Sequence, residues 1–246
     1  MEPVVHKASA SERRLDVSGT AGSVWGIIVA AGTGERLGLD RPKAFAPLGG
    51  RPLLAESIDR LDRCPWVDAL VIVSAAGWEE PAILLAEEIV ATKVVSCVTG
   101  GTTRAESVRA GLQEVVDDAL VILVHDAARP LVSNAVVERV LGPLGEGYDG
   151  VVPVVPVQDT LKRVAGAAVV ETVSRTDLVA AQTPQAFLAP ALRRGLAGDL
   201  TDATDCASLV ERTGGRIAAV DGDPWLMKVT TKADLALLEA ILAGEG

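Results

Sequence analysis

Residues 25–54 read WGIIVAAGTGERLGLDRPKAFAPLGGRPLL, and this stretch decides the fold class. The apolar run from Trp25 to Ala31 reads as a strand that empties into a loop bearing Gly32, Gly34 and Gly38. Two cations follow, Arg36 and then Lys43, the lysine directly after Pro42. Small residues let backbone N–H groups approach a phosphate closely, and fixed cations neutralise its charge. The pattern implies a nucleoside triphosphate held at a strand tip, with chemistry done on its phosphates. The same glycines also suit an ordinary strand-to-helix turn, and it is the stiff Pro42-Lys43 pair that favours phosphate. A P-loop is excluded, because no Gly-Lys-Ser or Gly-Lys-Thr occurs in the chain. A dinucleotide fingerprint is opposed as well: Gly32-Thr33-Gly34-Glu35-Arg36 continues to Leu37, and the third glycine comes one residue late, at Gly38. No H-R-D signature of the kinase type follows.

Outward from this stretch, short β-branched runs alternate with helical patterns. Strands are expected at 25–30, 68–74, 93–98, 120–125, 149–155 and 216–220. Helices are expected over 52–63, from a capping box of Thr103 and Glu106, over 134–141, and from a second capping box of Thr231 and Asp234. This alternation implies a doubly wound α/β fold with a mostly parallel, Rossmann-like sheet covered on both faces. Ligands of such sheets sit at the carboxyl ends of the strands, so the loops at 31–43, 99–104 and 126–133 should converge. Residues 156–186 interrupt the alternation, with an arm at about 156–178. Two polar-alternating runs, Thr160–Val164 and Ala168–Ser174, flank Gly166 and predict a β-hairpin. That hairpin reads as an arm that packs on a second subunit, or else as an exposed loop. Residues 1–23 lack apolar periodicity and read as a flexible extension; residues 24–246 read as a single domain.

Composition narrows the function classes. A net charge of −10 opposes nonspecific nucleic-acid binding, which needs a broad basic surface. It also makes each cation placed in a loop more telling, since a nucleotide must be drawn in against the overall field. Only 3% of residues are aromatic, so the core must be built from Val, Leu, Ile and Ala. Cys64, Cys97 and Cys206 are widely spaced and odd in number, which argues for a reducing, cytoplasmic setting rather than a disulfide framework. Two histidines, His6 and His125, are too few for a multi-histidine metal centre. No apolar run is long enough to span a membrane.

Two further stretches carry chemistry. Val124-His125-Asp126-Ala127-Ala128-Arg129-Pro130 places an acid at a strand tip with small residues beside it. Asp126 there suits a ribose or substrate hydroxyl or a hydrated Mg²⁺, and Arg129 suits phosphate or carboxylate oxygens. Equally, Asp126 could cap the turn and pair with Arg129. His125 reads as a packed, hydrogen-bonded side chain rather than a base. Gly100-Gly101-Thr102-Thr103-Arg104-Ala105-Glu106-Ser107 opens a helix, and its N–H groups and the Ser107 hydroxyl suit a base edge or a phosphate. Arg175 and Lys228, taken singly, read as surface charges.

Together, AAGTGERLG, RPKAF, GGTTRAES, VHDAARP, VQDTLKR, VSRTDL, QTPQAF, TDCASLVE and MKVT occur in this order over residues 25–244. In that order they resemble the bacterial 2-C-methyl-D-erythritol 4-phosphate cytidylyltransferase family. The resemblance implies that Arg36 and Lys43 stabilise the transition state and that Arg175 and Lys228 position the substrate phosphate. It implies that Ala30, Ala31, Gly32, Gly101 and Ser107 hold cytosine. Asp126, Ala127, Arg129 and Thr160 are implied to hold ribose and the methylerythritol phosphate. It further implies CTP as donor, Mg²⁺ carried mainly on the CTP phosphates, and a homodimer whose sites borrow Thr160 and Arg175 from the partner. Where some members carry an acid after the second glycine of GG, this chain has Thr102. The alternatives are a cytidylyltransferase for another polyol phosphate, such as ribitol 5-phosphate, and a nicotinamide-dependent oxidoreductase.

Overall fold

Every β-branched run expected to be a strand is one in the computed structural model, which describes residues 15–17 and 20–244. In chain order the strands are β1 (Val24–Ala30), β2 (Ala69–Ser74), β3 (Val94–Thr99), β4 (Val121–Asp126) and β5 (Gly150–Pro156). The hairpin strands β6 (Leu161–Ala165) and β7 (Ala168–Val173) follow, then β8 (Val179–Ala181), β9 (Gln185–Leu188) and β10 (Ile217–Asp221). The helices are α1 (Leu53–Asp62), α2 (Glu79–Glu88), α3 (Arg104–Leu112) and α4 (Asn134–Leu141), then α5 (Ala189–Ala197), α6 (Cys206–Arg212) and α7 (Lys232–Gly244).

One eight-stranded sheet runs β3-β2-β1-β4-β9-β5-β10, with β8 pairing the second half of β5. The pairs β1–β2, β1–β4, β2–β3 and β5–β10 are parallel. The expectation of a mostly parallel sheet is met, with two exceptions: β8 pairs β5 antiparallel at one edge, and β9 lies within the sheet. Strand β9 enters antiparallel to both β4 and β5. It was not read from the sequence because four residues after a proline are too short to display a period of two.

Side chains alternate across this sheet as the pleat requires. Ile28, Leu70, Ile72 and Leu123 pack under α1, α2 and α4, whereas Ile27, Val71, Val73 and Val124 pack under α3, α5 and α6. Two-sided burial explains why the strands read as nearly unbroken apolar runs. A third, smaller apolar cluster joins Leu37, Leu48, Leu53, Leu131 and Val229 to Leu238 of α7. It fastens the first loop and the segment before α7 to the body of the domain.

The predicted hairpin forms, with Leu161 opposite Val173 and Ala165 opposite Ala168. It stands apart from the main sheet and exposes Val164, Val169 and Val170. Within the segment read as an N-terminal extension, Leu15–Val17 pairs antiparallel with Thr20–Gly22; residues 1–14 and 18–19 lie outside the described residues.

Phe187 of β9 is fully buried, and a Cβ placed on Gly150 would stand 2.5 Å from its ring. The inserted strand is thus locked by an aromatic ring lying over glycine. Phe187→Ala should lower unfolding stability by about 3–5 kcal/mol in urea titrations. A loss below about 1 kcal/mol would show that this packing does not hold β9 in place.

Candidate active site

The carboxyl ends of β1, β3 and β4 open onto one cleft of about 420 Å³. It lies where the strand order turns back on itself, with β2 on one side of β1 and β4 on the other. Val29 of β1 stands beside Asp126 of β4, and the N–H of Ala127 donates to the Val29 carbonyl at 3.1 Å. The three loops expected to converge do so. Ala30–Thr33 and Lys43 come from the first, Gly101–Arg104 from the second, and Asp126–Ala128 from the third.

The first loop owes its path to glycine. Gly34 has φ +76, and a Cβ there would stand 2.9 Å from the Lys43 Cβ. Only glycine combines that backbone with so close an approach. The N–H of Lys43 donates to the Gly32 carbonyl at 3.1 Å, so the loop folds back and lays the lysine along the cleft. Lys43 Nζ donates to the Val229 carbonyl at 2.9 Å. Arg36 belongs to the single turn Glu35–Leu37; its side chain lies outside the described residues.

The second loop is organised by the capping box foreseen at Thr103 and Glu106. The Thr103 hydroxyl accepts from the Glu106 N–H at 3.1 Å. One Glu106 oxygen accepts from the N–H groups of Thr102 and Thr103 at 2.8 and 3.0 Å, and from the Thr102 hydroxyl at 2.5 Å. The Thr102 hydroxyl, with the Thr103 N–H, holds the Glu106 carboxyl below the usual carboxylate range. Ser107 completes the loop, accepting from the Gly101 N–H at 3.1 Å and donating to the Thr103 carbonyl at 2.9 Å. Gly100 lets the loop touch the first one, since a Cβ there would stand 2.4 Å from the Ala31 Cβ.

At the third strand tip, Asp126 is only 6% exposed and holds two cations. Arg104 Nε donates to Oδ1 at 2.9 Å, and Lys228 Nζ donates to Oδ2 at 2.7 Å. Burial pushes this carboxyl up, but the charges of Arg104 and Lys228 more than offset it and hold it far below the usual carboxylate range. The Asp126–Arg129 pair considered from the sequence does not form between side chains; the Arg129 N–H donates to the Asp126 carbonyl instead. The Arg129 guanidinium donates to the carbonyls of Leu226 at 2.5 Å and Ala181 at 3.3 Å.

His125 is packed, as its strand position suggested. It is fully buried, with Nε2 3.0 Å from the Arg129 carbonyl and Nδ1 3.2 Å from the Thr183 hydroxyl. The Asp126 N–H donates to that same hydroxyl at 3.0 Å. The pattern is consistent when Thr183 donates to Nδ1 and Nε2 carries the proton, which describes a neutral imidazole. Burial pushes the imidazole down to about 4, in keeping with that tautomer.

Of the residues singled out in the sequence, Ala30, Ala31, Gly32, Lys43, Gly101, Ser107, Asp126, Ala127 and Lys228 share the cleft wall. Arg129, Thr160 and Arg175 do not line it, and Thr160 and Arg175 are exposed. Arg104 lines the cleft but was not singled out. A signal existed: a cation at the first position of a helix opposes the helix dipole and calls for a specific anion. Among the described residues no group of three or more His, Cys, Asp or Glu could hold a metal ion.

Comparison with known proteins gives one answer throughout. Residues 24–244 match the family described as IspD, 2-C-methyl-D-erythritol 4-phosphate cytidylyltransferase. The enzyme of that name from Nocardia farcinica (strain IFM 10152) is 46% identical over 222 residues, covering 90% of this chain and 94% of its own. That of Saccharopolyspora erythraea is 44% identical over 225 residues, covering 90% of this chain and all of its own. Among solved structures, the 4-diphosphocytidyl-2C-methyl-D-erythritol synthase of Anaerococcus prevotii DSM 20548 superposes with a TM-score of 0.77 at 25% identity, covering 90% and 99% of the two chains. The 2-C-methyl-D-erythritol 4-phosphate cytidylyltransferase of Thermus thermophilus does so at 0.74 with 32% identity, covering 90% and 98%.

The buried imidazole makes stability depend on pH in a defined direction. His125 takes up its proton near pH 6.5 when unfolded and only near 4 when folded. The unfolded chain therefore binds more protons in that window, and stability falls as pH drops through it, by up to about 3 kcal/mol. Urea midpoints measured from pH 7 to 4 should show this slope in the wild type and a shallower one in His125→Gln. Parallel curves would assign the slope to other groups.

Proposed function

The chain belongs to the 2-C-methyl-D-erythritol 4-phosphate cytidylyltransferase family, and from that premise we propose how its cleft divides the work. The protein transfers a cytidylyl group from CTP to 2-C-methyl-D-erythritol 4-phosphate. The products are 4-diphosphocytidyl-2-C-methyl-D-erythritol, on the way to isoprenoids, and pyrophosphate. The oxygen of the acceptor's phosphate attacks the α-phosphorus of CTP, one P–O bond forms, and the bond to pyrophosphate breaks. No base is needed, because a phosphate monoester is already ionised near pH 7. A neutral, buried His125 is compatible with that chemistry.

What must be overcome is the repulsion of two anions, and cations fixed in a partly dry cleft do this best. We assign Lys43 and Arg36 to the charge that builds at the α-phosphorus, and Lys228 and Arg175 to the acceptor's phosphate. Cytosine is assigned to Ala30, Ala31, Gly32, Gly101 and Ser107; ribose and acceptor hydroxyls to Asp126, Ala127 and Thr160. Arg129 joins them by leaving the Ala181 carbonyl, the longer of its two contacts. The observation that carries this reading is a single link: Lys43 Nζ is tied to the carbonyl of Val229, next to Lys228. Two cations thereby stand on one wall, facing loops of small residues. A Mg²⁺ accompanying CTP would be held by triphosphate oxygens and water, since both Asp126 oxygens already accept from cations. The residues present do not build a cage for it.

Thr160 and Arg175 flank an arm that bares Val164, Val169 and Val170, and we assign them to the site of a second copy in a homodimer. The three cysteines are unpaired and no helix among the described residues is long and apolar enough to cross a membrane, which supports placing the reaction in the cytoplasm.

Pyrophosphate release should be measured with CTP and a panel of acceptors. 2-C-Methyl-D-erythritol 4-phosphate should be preferred over ribitol 5-phosphate by at least tenfold in kcat/KM, and the reverse order would move the protein to the other acceptor. Lys43→Ala and Arg36→Ala should each cut kcat by about 10²–10³; near-normal turnover would remove that residue from the reaction. For the arm, Val169→Asp with Val170→Asp should convert a dimer into monomers in analytical ultracentrifugation and depress activity. A wild-type monomer with full activity would refute the shared site.

A further inference from the structure

The cleft contains one cation to which the reaction above gives no work. Arg104 is the first residue of α3, where its charge opposes the helix dipole. It is held there firmly. The capping box fixes its backbone, Nε donates to Asp126 at 2.9 Å, and Nη1 stands 3.5 Å from the Cys206 sulfur. Its Nη2 is buried and finds no partner among the described residues. Lys228, on the other oxygen of the same carboxylate, differs in every respect. Its side chain is 39% exposed, and it sits in a segment with neither helix nor strand. A lysine ammonium is a mobile point charge, whereas a guanidinium beside a carboxylate is a fixed fork.

We propose that Arg104 is a positioning residue, which holds the Asp126 carboxylate in place while Lys228 leaves it for the acceptor's phosphate. The proposal rests on the assignment of Lys228 to that phosphate. A phosphate monoester carries more charge than a carboxylate and draws the lysine away. With Lys228 as sole partner, Asp126 would then be a buried carboxylate without a cation, and the exchange would be opposed. With Arg104 in place, the carboxylate keeps one charged partner and its orientation throughout. Asp126 thus serves as a resting place for Lys228 in the absence of acceptor, and as a fixed acceptor for substrate hydroxyls in its presence.

The test is a double-mutant cycle of Arg104→Gln and Asp126→Asn, with Arg104→Lys alongside. Arg104→Gln should raise KM for the acceptor at least tenfold and KM for CTP by a clearly smaller factor, since Asp126 is also assigned to the ribose while Lys228 serves the acceptor alone. Arg104→Lys, which keeps the charge but not the fork, should recover only part of the difference, and it carries the same reading should the glutamine variant fail to fold. The double variant should be no worse than Asp126→Asn alone, because the arginine acts through the carboxylate. An unchanged acceptor KM, an equal rise in the KM for CTP, or penalties that multiply in the double variant would each overturn the proposal. The same cycle read as Tm, without substrates, should show non-additive shifts; additive shifts overturn the proposal whichever polyol phosphate the enzyme accepts. Failure of the function itself is separable, since it would be seen as a wild type that releases no pyrophosphate with 2-C-methyl-D-erythritol 4-phosphate.

Discussion

A carboxylate that water scarcely reaches stays ionised only if charge is brought to it, and this requirement at Asp126 organises the whole cleft. Arg104 arrives from 22 residues earlier in the chain and Lys228 from 102 residues later. Each pairing drags a loop with it. The helix α3 is drawn against the tip of β4, and the segment before α7 is folded back across the sheet. Lys43 then reaches 186 residues forward to the Val229 carbonyl, so the glycine loop is tied to the same segment. Removing both cations would leave the buried Asp126 carboxylate to its own desolvation cost.

Topology makes this gathering possible. Parallel strands point their carboxyl ends the same way, so loops far apart in sequence emerge side by side. The protein as a whole carries a net charge of −10, yet Lys43, Arg104 and Lys228 all line one hollow. In water at physiological salt such charges are screened over about 8 Å, whereas low-dielectric walls focus their field into the hollow. The acidic exterior and the basic hollow are therefore compatible, because the two act over different distances.

Much of this was legible in the sequence, and the reasons are physical. Strands buried on both faces must be apolar throughout, so β1, β2 and β4 stood out as runs of Ile, Val and Leu. Capping boxes are local, and Thr103 with Glu106 was visible at three-residue spacing. Other elements left weaker traces. Helix α2 bares Ile83 and Leu84, which blurs its apolar stripe, and α6 spans only Cys206–Arg212. The partners of Asp126 were hidden for another reason: ion pairs across 22 and 102 residues have no period to betray them. Thr183, which orients both His125 and the Asp126 backbone, likewise lies 58 and 57 residues from them. Local pattern revealed the loops, whereas the electrostatic wiring between them required three dimensions.

The bond from Lys43 to Val229 has a bearing on biosynthesis. Chains are made from the N-terminus, and early segments begin to fold before later ones exist. A ribosome that has produced the sheet through β9 has already built the glycine loop, the capped α3 and the carboxylate at the tip of β4. It has not yet made residues 228 and 229, so the lysine of the first loop hangs without its carbonyl anchor and half of the charge pair is missing. The anchor of the first loop and one of the two cations on Asp126 thus come from a stretch translated long after the loops they complete, so the cleft is finished out of the order in which its parts are made.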